Sequence, residues 1–145
     1  MQSLRKTRLR VLLNSLLLLT CSYAVQALAD GDACSGLIPT IIGTEGSDII
    51  IGTENPDVIL GLGGDDVIRG MGGDDVICAG DGHDVVYGGD GNDIIDGGAG
   101  DDILRSESGN NTLDGGSGSN ICDTSLSDGN DVTVNCQSII QSVIE

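Results

Sequence analysis

Aspartate recurs at every ninth residue through the middle of this chain, and glycine precedes it by two positions in nearly every copy. Glycine lets several backbone carbonyls turn toward one point, because it has no side chain to forbid the required angles. Carboxylate and carbonyl oxygens, roughly six to eight together, are the ligands that a hard divalent cation such as calcium takes, whereas soft metals prefer sulfur. The candidate ligands are Asp48, Asp57, Asp66, Asp75, Asp84, Asp93 and Asp102, with the backbone of Gly46, Gly64, Gly73, Gly82, Gly91 and Gly100.

The competing interpretation is that these loops are only turns, because Asp-Gly pairs are ordinary turn chemistry. Turns alone do not require aspartate at one position of seven successive copies. Carboxylates stacked one strand spacing apart would also repel one another unless a cation compensated them. We therefore favour metal ligation over a purely structural role.

The aspartates belong to nine consecutive nine-residue units that run from Gly43 to Asp123 without an insertion. A short fixed period indicates stacked units that share one continuous core. In each unit, six residues rich in Gly and Asp precede three strand-forming residues, which predicts alternating loops and short strands. Position eight is expected to face inward, and it is occupied by Ile50, Ile59, Ile68, Ile77, Val86, Ile95, Leu104, Leu113 and Cys122.

Position seven is expected to face outward, since successive strand residues point to opposite faces. β-branched residues favour strands, and this alone accounts for their presence there. A second interpretation is that two aliphatic stripes form a contact surface for another protein or a like subunit. The stripe residues are Ile49, Val58, Val67, Val76, Val85, Ile94 and Ile103.

The unit GGDGNDIID, residues 88–96, resembles the G-G-x-G-x-D-x-U-x calcium-binding nonapeptide of RTX (hemolysin-type) proteins at every fixed position. The resemblance extends over all nine units. It implies an all-β fold, namely a parallel β-roll solenoid of about nine nonapeptide units with short N- and C-terminal caps. It also implies that one turn contains two units and that calcium ions lie between loops stacked on the same side.

With that stacking, aspartates eighteen residues apart would pair along two edges, which gives about five calcium sites. Asn111 and Asn120 keep an oxygen but lose a charge, so sites that use them should be weaker. Asn55-Pro56 interrupts the second loop, whose ligand set is therefore the least regular. Three further aspartates precede the ligand position and are expected to face solvent: Asp65, Asp74 and Asp101.

The N-terminus has the three parts of a secretory signal peptide, with basic residues in 5–10, an apolar run over 11–19 and then Ala27-Leu28-Ala29. Cleavage after Ala29 is expected, which predicts a secreted, extracellular protein. The apolar run is too short to favour a membrane span. A lipoprotein anchored at Cys21 is the less favoured alternative, because Thr20 is a poor residue before such a cysteine.

Cleavage would remove four of the six basic residues and none of the 23 acidic ones, which leaves a net charge of 2 minus 23, or −21. Such a chain repels nucleic acid and anionic membranes, and it repels itself unless cations bind between its carboxylates. With no Trp and no Phe, the mature chain is expected to form one small domain without a bulky core.

The expected organisation is a signal peptide (1–29), a leader and cap (30–42), the calcium-binding roll (43–123) and a C-terminal cap (124–145). Thr40-Ile41-Ile42 is similar to the strand of an incomplete unit. Residues 127–134 are similar to a tenth unit that a two-residue insertion displaces. The tail, residues 138–144, combines helical spacing with β-branched residues, so its conformation stays open. It is expected to close the end of the coil, since a solenoid needs caps.

Four cysteines remain after cleavage, and an even number in an exported protein is first interpreted as disulfides. Three pairings are possible. We favour Cys122 with Cys136, which would pin the C-terminal cap, and Cys34 with Cys78, which would fasten the leader to the fourth unit. Zinc binding by the four cysteines is the alternative, although no CxxC spacing supports it.

No catalytic constellation emerges from the sequence. His83 is the only histidine and is expected to be solvated, and there is no G-x-S-x-G. We expect no enzyme activity, and we predict a secreted calcium-binding protein that folds around several Ca²⁺ ions, because its narrow core buries little area. The alternatives are a calcium-dependent adhesion module with a protein or polysaccharide partner, and an accessory to a secreted enzyme or toxin.

Overall fold

The computed structural model of this chain describes residues 34–141, which contain one 3₁₀ turn, Cys34–Gly36, and twelve β-strands. The predicted signal peptide, with its cleavage site and Cys21, lies outside the described residues. The strands are β1 Ile41–Ile42, β2 Ile49–Ile51, β3 Val58–Gly63, β4 Val67–Gly72, β5 Val76–Asp81, β6 Val85–Asp90, β7 Ile94–Ala99, β8 Ile103–Arg105, β9 Thr112–Asp114, β10 Ile121–Thr124, β11 Val132–Val134 and β12 Ser138–Gln141.

The strands alternate between two six-stranded parallel sheets, one formed by the odd-numbered strands and the other by the even-numbered strands. Each repeat unit therefore lies on the opposite side of the coil from the next. Units two apart stack directly with a register of eighteen residues, as in Ile50 on Ile68 and Ile59 on Ile77. This arrangement confirms the expected parallel β-roll with two units per turn.

The core is a single column of position-eight side chains between the two sheets. Ile59, Ile68 and Ile77 are fully buried, and Cys122 continues the column at its C-terminal end. Position seven faces outward as expected, since Ile49 is 79% exposed and Ile94 is 51% exposed. One large inward aliphatic side chain in most units is enough to orient each strand, and apart from small Ala79 little else joins this narrow core.

The expectation of three-residue strands is wrong for β3 to β7, which have six residues each. The glycine-rich start of the next unit continues the parallel ladder, because glycine allows backbones to approach closely. A Cβ added at Gly61 would lie only 2.2 Å from the Ala79 carbonyl oxygen. Position two of these central units also adopts positive φ, even where it is Leu62 (83°) or Met71 (82°).

The N-terminal cap is the expected incomplete unit. β1 pairs with β3 in the same eighteen-residue register, with Ile41 on Ile59. Elsewhere in the coil, a backbone N–H donates to the aspartate eighteen residues later, but Pro39 has no N–H to donate to Asp57. The Thr40 hydroxyl donates instead, 2.9 Å from Asp57 Oδ1.

The C-terminal cap continues both sheets. Val132 of β11 lies on Thr112 of β9, twenty residues away, which confirms a tenth unit displaced by two residues. β12 pairs with β10 at a register of seventeen, Ser138 on Ile121, so the tail is a strand over residues 138–141. The rest of the tail lies outside the described residues.

Both favoured cysteine pairs are disulfide-bonded. The Cα atoms are 5.5 Å apart in Cys34–Cys78 and 5.8 Å apart in Cys122–Cys136. The first bond holds the 3₁₀ turn against the outer face of the odd-numbered sheet, where Leu60 is buried. The second joins the last core residue to the C-terminal cap.

Truncating a core side chain should destabilise the roll far more than truncating an outward one. Ile77→Ala should lower the free energy of unfolding by about 2–5 kcal/mol, because it opens a cavity in a fully buried column. Ile94→Ala, at half-exposed position seven, should cost less than about 1 kcal/mol. Urea unfolding in excess calcium would measure both, and equal losses would contradict the assignment of inward and outward faces.

Candidate metal centre

The position-six carboxylates lie in the loops that join the two sheets, and all of them except half-buried Asp48 are buried. Five of them are each 1% exposed, and we call their loops the central loops: Asp66, Asp75, Asp84, Asp93 and Asp102. We call the other four loops of the nine units the end loops: those of Asp48, Asp57, Asn111 and Asn120.

One oxygen of each central carboxylate bonds along the stack. The Asp48 backbone N–H donates to Asp66 Oδ1 at 2.8 Å, and the Asp66 N–H donates to Asp84 Oδ1 at 2.8 Å. The other edge repeats this pattern, with the Asp75 N–H 3.0 Å from Asp93 Oδ1. The structure therefore brings together the aspartates that the resemblance pairs eighteen residues apart.

The other oxygen, Oδ2, has no hydrogen-bond partner in any of the five central loops within the described chain, although it is fully buried. A buried acceptor without a donor costs about 1–3 kcal/mol, and more when it is charged. Five such atoms at regular intervals need a common compensating partner, and a cation supplies one. The residues present therefore fit a bound divalent ion.

Glycine allows the backbone to lie close to these unpartnered oxygens. A Cβ added at position one would lie 2.4 Å from Asp75 Oδ2 if it were on Gly70, and 2.5 Å from Asp93 Oδ2 if it were on Gly88. Position-four carbonyls point along the stack toward the next loop, since a Cβ on Gly82 would lie 2.2 Å from the Gly64 carbonyl oxygen. In the central loops, carboxylate and carbonyl oxygens thus lie close to glycine backbone, where a larger residue would clash with them.

Side chains alone do not make a metal site here. Among residues 34–141, no group of three or more Asp, Glu, His or Cys side chains lies close enough to hold an ion. A site in these loops must therefore include backbone carbonyls, which is the ligand mixture that calcium accepts and thiolate-seeking metals do not.

The protonation of the central carboxylates reflects their burial. Burial raises the pKa of Asp75 and of Asp84 to about 6, against the opposing effect of the backbone N–H bond and with added repulsion from neighbouring aspartates. Burial likewise raises the pKa of Asp66, Asp93 and Asp102. A cation between the loops favours the ionised form and opposes this shift.

Two predicted ligands differ from the rest. Thr44 donates its backbone N–H and its hydroxyl to Asp48 Oδ2, at 2.6 and 2.8 Å. Thr53 does the same to Asp57 Oδ2, at 2.8 and 2.9 Å. Burial acts to raise the pKa of Asp57, but the bonds from Thr40 and Thr53 outweigh it and lower the pKa. Asp48 and Asp57 thus have protein donors where the central aspartates have none.

Position five forms a second ladder that the sequence reasoning missed. Asp65 is exposed as expected, yet its Oδ1 also accepts the His83 backbone N–H at 2.9 Å. Asp74 and Asp101 accept backbone N–H groups eighteen residues later in the same way. Exposed His83 joins the ladder through Nδ1, which accepts the Asp101 N–H at 2.9 Å. The available signal was that position five holds a side-chain acceptor in eight of nine units.

Asp131 is a further position-six residue that the sequence reasoning did not single out. Its Oδ1 accepts the Asn111 backbone N–H at 2.9 Å, and its Oδ2 accepts the Ser106 hydroxyl at 2.6 Å. The alignment of residues 127–134 with a displaced tenth unit places Asp131 at position six, so the sequence could have indicated it. Asp131 closes one edge of the stack with donors from the protein itself.

A family model described as RTX calcium-binding nonapeptide repeat (4 copies) matches residues 42–77, 51–86 and 87–122, which together are more than half of the chain. The chain belongs to this family. No curated protein and no solved structure matches it significantly. As an RTX protein it is a calcium-binding repeat protein, and its two disulfides fit an oxidising environment. Among the described residues, no helix is long and apolar enough to cross a membrane.

Mild acid should partly replace calcium in this RTX protein. An unfolded Asp has a pKa of about 3.9, whereas the pKa of Asp75 and of Asp84 in the folded state is raised to about 6. Between pH 4 and pH 6, roughly, the folded state therefore binds more protons than the unfolded state. The stability of the calcium-free roll should therefore rise as the pH falls through about 6, and it should be lowest at neutral pH.

Circular dichroism of chelated protein from pH 7.5 to 4.5 would measure this effect. Carboxylates in model peptides titrate near pH 4, so a gain of β-structure centred near pH 6 identifies the buried ones. A chelated sample that is most ordered at pH 7.5 would contradict the prediction.

Proposed function

We propose that this protein is a secreted calcium-binding protein whose β-roll orders as Ca²⁺ binds between its stacked loops, and that it has no enzyme activity of its own. The observation that carries the proposal is the set of five buried Oδ2 atoms without partners. In this proposal, Asp66, Asp75, Asp84, Asp93 and Asp102 are the principal ligands. The glycine carbonyls of position four complete the oxygen set.

The remaining predicted ligands have a lesser place in the proposal. Asp48 and Asp57 contribute to an ion only by giving up their bonds to Thr44 and Thr53. Gly46 lies in the loop of Asp48 and lacks the positive φ of its counterpart Gly64 (101°). We therefore expect the first two loops to hold calcium more weakly than the central loops.

Folding is coupled to the ion in this proposal because the core is so narrow. A column of one aliphatic side chain per unit contributes little buried apolar area. The buried carboxylates along each edge also repel one another when they are ionised. Calcium supplies the missing stabilisation, as structural metals do in other small domains. With the signal sequence over residues 1–29, the chain would cross the membrane unfolded and order outside, where calcium is plentiful.

A second candidate function is polysaccharide binding on the even-numbered sheet. The Arg69 and Arg105 guanidinium groups lie over the Tyr87 ring, each 5.5 Å from its centroid. An aromatic ring among charged hydrogen-bonding groups suits a sugar, and the adjoining groove has a volume of about 460 Å³. The groove is lined by Glu54, Arg69, Met71, Tyr87, Asp90 and Glu107. Calcium-dependent retention on cell-wall glycans would support this role, and loss of retention in Tyr87→Ala would assign it to the groove.

Removal of calcium should unfold most of the roll at neutral pH. Excess chelator should abolish most of the β-sheet circular dichroism, and calcium should restore it where an equal concentration of magnesium does not, since magnesium demands a more rigid octahedron. Isothermal titration would count the ions. Protein that stays fully ordered after exhaustive chelation and takes up no calcium would rule out the proposed function.

A further inference from the structure

The end loops at the N-terminus contain a donor where the central loops have none. The Thr44 hydroxyl lies 2.8 Å from Asp48 Oδ2 and 3.1 Å from the carbonyl oxygen of Gly46, the position-four residue. The hydroxyl is thus within hydrogen-bond distance of both the carboxylate and the position-four carbonyl, and the Thr44 backbone N–H also donates to the carboxylate at 2.6 Å. Thr53 repeats the arrangement in the second loop, at 2.9 and 3.2 Å. A hydroxyl here bridges two oxygens that would otherwise face a bound cation.

Asn111 supplies a donor of a different kind in the eighth loop. Its Oδ1 keeps the bond along the stack and accepts the Asp93 backbone N–H at 2.8 Å. Its Nδ2 stands where the central aspartates have Oδ2, and it donates to Asp131 Oδ1 at 3.2 Å and to the carbonyl oxygens of Ser108 and Gly109 at 3.4 and 3.5 Å. The amide therefore replaces an acceptor that needs a cation with a donor that binds the Asp131 carboxylate and the loop carbonyls.

The ninth loop follows the same principle. Asn120 Oδ1 accepts the Asp102 backbone N–H at 2.8 Å, and its Nδ2 donates to the Asn135 carbonyl oxygen at 3.4 Å. The position-four carbonyl of this loop, on Gly118, accepts the Gln137 side-chain amide at 2.8 Å. The protein itself thus supplies a partner both for the Asn120 amide and for the position-four carbonyl.

The central loops lack every one of these donors. Within residues 34–141, nothing donates to their Oδ2 atoms, and nothing donates to their position-four carbonyls either. In each central loop, Oδ2 and the position-four carbonyl therefore lack a donor among the described residues. In each end loop, the position-four carbonyl has a donor, and the position of Oδ2 either accepts a hydrogen bond or is occupied by an amide N–H. The position-four carbonyls of the central loops belong to Gly64, Gly73, Gly82, Gly91 and Gly100.

We propose that the end loops carry their own substitute for the ion, so that only the five central loops require calcium and the coil has a metal-independent cap of two loops at each end. This inference rests on the proposed function and specifies which loops serve it. If a central aspartate is replaced by asparagine, the amide N–H should therefore take over the role of the ion. This substitution should remove a calcium ligand and also stabilise the calcium-free loop.

The test compares Asp84→Asn with Asp101→Asn in the full chain. Asp84→Asn should bind fewer calcium ions than the wild type, because Asp84 stacks on both Asp66 and Asp102, and in chelator it should retain more β-structure than the wild type. Asp101→Asn removes the same charge from position five and keeps the acceptor for the Ser119 N–H, so it should behave as the wild type in both measurements. Asparagine at all five central positions should give a roll that is ordered in chelator and binds no calcium.

The reciprocal variant is Asn111→Asp, which replaces the Nδ2 donor with an oxygen beside Asp131 Oδ1 that has no donor. It should bind more calcium than the wild type by titration and lose structure more readily in chelator. An unchanged ion count in Asp84→Asn or in Asn111→Asp, beside a wild type that binds calcium, would overturn the inference. The inference would also fail if the five-asparagine variant were unfolded in chelator. A wild type that binds no calcium would overturn the proposed function itself.

Discussion

The roll depends on how its buried carboxylates are compensated. Each central aspartate uses one oxygen to accept a backbone N–H from the preceding turn, and this bond places the second oxygen in a space that the protein leaves without a donor. A core one side chain wide cannot outweigh a row of such atoms, because it removes little apolar surface from water. The charge balance of the loops therefore bears directly on the stability of the two sheets, and in the proposed function a divalent ion is part of that balance.

Two side-chain ladders lock the stacking register, and they run in opposite directions. A position-six side chain accepts from the loop before it, as Asp84 does from Asp66, whereas a position-five side chain accepts from the loop after it, as Asp65 does from His83. A shift of one residue between turns would break both ladders and turn the core residues outward. This double constraint explains how a coil rich in glycine keeps a single register.

The two outer faces of the roll differ in how they are covered. The Cys34–Cys78 disulfide holds the leader against the odd-numbered sheet, where Leu60 is buried. The even-numbered sheet has no such cover within the described residues, and it carries both arginines of that part of the chain beside Tyr87. A contact with another molecule is therefore better placed on the even-numbered face, where apolar and charged groups lie together.

The sequence by itself determined the features that depend on the nine-residue period. These are the inward and outward positions and the tenth unit displaced by two residues. The stacking of Asp66 on Asp48 was instead implied by the resemblance to RTX repeats, and the cysteine pairs were favoured from the places of the four cysteines in the chain. A strict period makes every unit equivalent, so one unit predicts the next. The tertiary structure alone decided which acceptors are satisfied, because that depends on how the side chains of each loop fold back onto its own carboxylate and carbonyl oxygens. The hydroxyl of Thr44 and the amide of Asn111 look like minor departures from a repeat, yet within their loops they stand where the other loops need an ion.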